Sequence, residues 1–118
     1  AEEVVAELAA GIAAFSEKNQ PLFRLMVSHS TAADPVLLEG IMAARRRVIG
    51  YYEEAISGFL QHLPERRREI VAGISYEIVS STMIGKIRGD VPVSRDLSWS
   101  DLAQEVTKAA TSYLRDAA

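Results

Sequence analysis

Residues 64–89 read PERRREIVAGISYEIVSSTMIGKIRG, and this stretch decides the fold. Pro64 opens it and Gly89 closes it. Proline suits a first helical turn, and glycine suits the position just past a helix end. Between them, apolar residues recur every three or four positions, the period of an α-helix. They fall on two faces. One carries Ile70, Ile74 and Ile78, then the small residues Ser81 and Gly85. The other carries Ala72, Tyr76, Val79, Met83 and Ile87. A helix in a small monomeric domain needs one buried stripe. This one has two, so it is either sandwiched within its own chain or shared with a second subunit.

The flanking sequence is helical as well. After Gly89-Asp90, the segment 91–97 reads as a loop containing Pro92. Ser98 is placed to cap a last helix, with Asp101 as the acidic half of a capping box and Leu97 and Leu102 as a hydrophobic staple. That helix aligns Trp99, Leu102, Val106, Ala110 and Tyr113 on one face. Upstream, Asp34-Pro35 starts a helix that the pattern carries to about residue 62, about 40 Å at 1.5 Å per residue. Its stripe is Leu38, Ile41, Arg45, Val48, Tyr52, Ala55 and Phe59, widened by Met42, Ile49, Ile56 and Leu60. Before it, residues 22–30 form a short, strongly apolar helix after the break at Asn19-Gln20-Pro21. The first helix lines up Val5, Leu8, Ile12 and Phe15. No strand-period alternation of any length occurs. The expected fold is one all-α domain, a bundle of about five helices.

Composition narrows the function. The 118 residues are 48% apolar and 25% charged, the mixture of a folded domain and not of a disordered chain. Thirteen basic and 16 acidic residues leave a net charge of −3, which argues against a free-standing nucleic-acid binder. The absence of cysteine excludes disulfides, thiol catalysis and Cys-ligated metals. Two histidines, His29 and His62, are too few for a multi-histidine metal site. No apolar run reads as a membrane span and no signal peptide is evident. Ala1 in place of an initiator methionine, with helix from the outset, points to a piece of a longer protein, with signal-peptide removal as the alternative, and a cytoplasmic location is expected. No catalytic constellation or phosphate-cradling loop is present, so the chain reads as a non-enzyme that needs no cofactor or metal.

Several residues invite a functional reading. Phe23, Met26, Met42 and Met83 are large and adaptable, and Tyr52 and Tyr76 add hydroxyl groups to apolar faces. Together with His29 and Arg45 they are candidates to line a small-molecule cavity with a few polar points. Each taken singly reads first as an ordinary core residue, and His29 first as a helix-capping cation. Arg45 lies on an apolar stripe and needs a partner. Either it faces an anionic ligand, or it bridges to Glu77 of the central helix; the bridge is favoured. The runs at Arg45-Arg46-Arg47 and Arg66-Arg67-Arg68 fan out around a helix and read as solvated faces, with Glu65 and Glu69 as partners for the second. The surplus apolar faces predict a twofold homodimer. Ile74, Ile78, Ser81, Gly85, Trp99, Leu102, Val106, Ala110 and Tyr113 would meet a second copy, joining the two C-terminal helices of each chain into a four-helix interface.

Over residues 19–114 the chain resembles the C-terminal ligand-binding and dimerisation domain of TetR-type (tetracycline-repressor-like) transcriptional regulators. The pieces that carry the likeness are Gln20-Pro21-Leu22-Phe23-Arg24-Leu25, then Asp34-Pro35-Val36-Leu37-Leu38 opening a long helix. Lys86-Ile87-Arg88-Gly89, Leu97-Ser98-Trp99-Ser100-Asp101-Leu102-Ala103 and Ser112-Tyr113-Leu114 follow. The resemblance implies a homodimer built by the last two helices and a small-molecule effector held among the earlier ones. It also implies operator DNA contacted only through an N-terminal helix-turn-helix domain that this chain lacks. The alternative is a helical dimerisation or interaction module without a ligand.

Overall fold

A computed structural model describes residues 2–21 and 35–117. The described residues form five α-helices and contain no strand: α1 (Glu2–Lys18), α2 (Pro35–Ile56), α3 (Glu65–Arg88), α4 (Pro92–Asp96) and α5 (Trp99–Ala117). The all-α bundle expected from the sequence is what the structure shows.

Helix α3 is central because apolar residues occupy more than one of its sides. Val71, Ala72, Ser75, Tyr76, Val79, Ser80 and Met83 are buried between α2 on one flank and α5 on the other. Its length and composition would suffice to cross a membrane, but much of that apolar surface is core here. Pro64 sits at its N-cap and starts it without a side-chain hydrogen bond. Gly89 ends it in the left-handed region, φ 76°, and donates its N–H to the Gly85 carbonyl at 2.9 Å. Only glycine takes that conformation without steric cost, so the end of α3 is set by one residue.

Helix α5 lies against both α3 and α1. It buries Leu102, Val106, Ala110, Thr111 and Leu114, and its opposite side is polar: Asp101, Gln104, Glu105, Lys108, Ser112, Arg115 and Asp116 are exposed. Ser98 accepts from the Asp101 N–H at 3.0 Å, the cap that its position predicts. Arg115 reaches Glu2 at 3.4 Å, so the end of α5 meets the start of α1 and the two helices run antiparallel. Val5, Ala9, Ala13 and Ser16 are the buried residues of α1. Small side chains there and at Ala110 permit close approach of the two helices. The expected stripe is therefore rotated: Leu8 and Ile12 are half-buried, and Phe15 is exposed.

Two boundaries differ from the sequence reading. The helix expected to reach residue 62 ends at Ile56 and tightens into a 3-10 turn, Ser57–Phe59. Ser57 donates its hydroxyl to the Glu54 carbonyl at 2.8 Å, which competes with continuation of the helix. The segment read as a loop around Pro92 contains the short helix α4. Proline supplies its first position, and Lys86 satisfies carbonyls beyond its reach, donating to Arg95 at 2.8 Å and Leu97 at 2.6 Å. The same ammonium lies 5.2 Å from the Trp99 ring centroid. One lysine thus pins the connection between α3 and α5.

Thr111 Oγ1 is buried and makes no hydrogen bond among the described residues. An unsatisfied hydroxyl costs about 1–3 kcal/mol. Thr111→Val keeps the shape and removes the polar atom. It is expected to raise stability by on the order of 1 kcal/mol, read as a higher thermal midpoint by circular dichroism.

Candidate functional site

The contact between α2 and α3 is a polar seam laid over a core. Tyr52 and Ser75 are buried and their hydroxyl oxygens lie 2.8 Å apart. Ser75 donates to the Ala72 carbonyl at 2.9 Å. A hydroxyl has one proton, so Tyr52 is the donor to Ser75. The Tyr52 and Tyr76 rings pack at 6.2 Å with a 53° tilt. Two turns earlier on α2, Arg45 Nη2 bonds Glu77 Oε1 at 3.3 Å and Ser80 Oγ at 3.5 Å, and its guanidinium lies 5.9 Å from the Tyr76 centroid. Ser81 donates to the other carboxylate oxygen of Glu77 at 2.8 Å. Position 45 faces 77 and 80 while position 52 faces 75, so α2 and α3 are antiparallel. Of the two readings of Arg45, the bridge to Glu77 is the one the structure contains. With side chains 32% and 54% exposed, this pair adds less than about 1 kcal/mol to stability.

The expected cavity residues fall partly outside the described part of the chain. Phe23, Met26 and His29 lie outside the described residues. Tyr52, Tyr76 and Met83 are buried in the core. They belong to the one apolar cluster that also holds Ile56, Val79 and Val106. Met42 is exposed and Arg45 half-buried. A recess of about 230 Å³ does exist, but elsewhere, between the end of α2 and the start of α3. Glu53, Ser57, Leu60, Glu65, Arg68, Glu69 and Ala72 line it, and none of them is among the expected residues. No group of residues arranged to hold a metal occurs among the described residues.

The expected dimer residues divide in two. On α5, Leu102, Val106 and Ala110 are interior to the chain, covered by α1 and α3. That row is therefore corrected from interface to core, because a polar exterior leaves α5 no second apolar face. Trp99 and Tyr113 are half-buried. On α3 the predicted row stays at the surface. Ile74 is 46% exposed, Ser81 is exposed, and Ile78 and Gly85 are half-buried. Ile70, at 38% exposure, extends this face by a turn, and half-buried Ile84 continues it in the other direction. Glu77 lies in its middle, a position the apolar periodicity passes over. Seven-residue spacing from Ile70 through Glu77 to Ile84 would have disclosed it.

Compared with protein families, with curated proteins and with solved structures, the chain finds no match in any of the three.

Burial pushes the Tyr52 phenol above its ordinary value of 10.0; the bond with Ser75, whose proton can turn to a phenolate, partly offsets this. A raised folded-state value means that the folded form holds the proton more tightly than the unfolded form. The resulting stability is complete below about pH 10 and is lost as pH climbs through the folded-state value. Tyr52→Phe removes that ionisation. It is expected to cost about 0.5–1.5 kcal/mol at neutral pH and to flatten the loss of stability above pH 10, measured by urea unfolding across pH.

Proposed function

We propose that this chain is the regulatory and dimerisation half of a TetR-like transcriptional regulator, a cytoplasmic homodimer and most simply a repressor. The observation that carries the reading is the open face of α3. Four isoleucines, Ile70, Ile74, Ile78 and Ile84, line a helix whose other sides are already packed. Such a face on a central helix is suited to a second copy, since small Ser81 and Gly85 let a partner helix approach. The order and lengths of the helices support the same reading, with a long α3 followed by a tight turn into α5.

In this proposal the piece senses a small apolar or aromatic effector and passes the signal to DNA-reading domains outside the chain. An effector shifts such a switch only if it binds one arrangement of the dimer better than the other. Met42 is the member of the expected pocket that stays exposed among the described residues, so an effector would be met on that side of α2. A second reading, an interaction module without a ligand, is favoured by the burial of Tyr52, Tyr76 and Met83 in the core.

Sedimentation at micromolar concentration tests the dimer. The wild-type chain is expected to sediment as a dimer. Ile74→Glu is expected to give a folded monomer, because it places a lone charge in the interface without touching the core. Val106→Glu is expected instead to unfold the chain. A wild-type monomer at every concentration would remove the proposal. A thermal-shift screen separates the two readings. An apolar or aromatic compound at 100 times its dissociation constant adds about 2.7 kcal/mol; if no compound class raises the melting point, the ligand-free module is the better reading.

A further inference from the structure

We infer that Arg45 and Glu77 form the polar centre of the interface between two copies of this chain, the pair of one copy docking antiparallel on the pair of the other. The inference rests on the α3 homodimer proposed above and specifies how its register is set. Within residues 70–85 Glu77 is the only charged residue. It stands midway along the isoleucine face, seven residues from both Ile70 and Ile84. A second copy covering that face must cover Glu77. A lone carboxylate taken out of water is costly, but this one is already neutralised by Arg45 and accepts a hydrogen bond from Ser81.

The guanidinium is only partly used. Arg45 makes both of its bonds through Nη2, and its Nε and Nη1 have no hydrogen-bond partner among the described residues. A purely apolar partner would leave those donors stranded. A second copy related by a twofold axis brings its own carboxylate to them and its own guanidinium to Glu77, so the positive end of each pair meets the negative end of the other. The surface is therefore complementary to itself in charge as well as in apolar character. A single polar residue in such a seam selects one register and one orientation among the alternatives that isoleucines alone would allow.

Charge reversal tests this in the full chain by sedimentation equilibrium, with helicity checked by circular dichroism. Arg45→Glu leaves two acids at the pair, and Glu77→Arg leaves two bases. Each variant alone is expected to dimerise at least about tenfold more weakly than wild type, through like-charge repulsion. Mixed in equal amounts, the two are expected to associate as a heterodimer. If either variant loses its helical signal, the neutral R45Q/E77Q chain replaces it, with the same tenfold loss of dimer expected. Wild-type association constants in all of these variants would overturn the inference while leaving the α3 dimer intact, as I74E would then show. Single variants that weaken the dimer but fail to pair when mixed would also overturn it. A monomeric wild type would overturn both.

Discussion

The antiparallel packing of α5 against both α1 and α3 is the contact on which the rest of the chain depends. It covers Leu102, Val106, Ala110 and Leu114 from two sides and brings the first and last helices together, with Arg115 beside Glu2. Each large apolar side chain buried there contributes about 1.5–3 kcal/mol. Alanines at Ala9, Ala13 and Ala110 contribute little of that energy; they set the distance, because no larger side chain intervenes. With α5 held in this way, one flank of α3 is closed. Lys86 then fixes the turn between α3 and α5 through two carbonyls and the face of Trp99.

The other flank of α3 is closed differently. Between α2 and α3 the contact graduates from buried tyrosine and serine to a half-exposed ion pair. Tyr52 and Ser75 satisfy each other where water is excluded, and Arg45 and Glu77 meet where it is not. This gradient follows the cost of desolvation: neutral hydroxyls are affordable inside, whereas charges are kept near the edge. It also explains why Arg45 can lie on an otherwise apolar stripe. Its guanidinium lies beside the Tyr76 ring and reaches a carboxylate at the rim.

With two flanks covered, α3 retains an open arc of isoleucines with one acid at its midpoint. That arc is the surface around which the functional reading is built. The tight connection through α4 ties the orientation of α5, and through it α1, to the position of α3.

Much of this was legible from residue order. The 3.6-residue period, Pro64, Gly89 and Ser98 determined that the chain is all-helical and where α3 and α5 begin or end, because caps and periodicity are local. The doubled apolar character of α3 and an Arg45–Glu77 partnership were legible too, since a buried guanidinium demands a carboxylate within reach. Which stripe faces inward was not. Leu102, Val106 and Ala110 look the same in sequence whether α1 or a second chain covers them, and Leu8, Ile12 and Phe15 look the same on a stripe turned inward or outward. Only the tertiary arrangement decided those questions, because burial is a property of what neighbours a side chain in space, and a helix's own sequence records its apolar face without recording the partner that covers it.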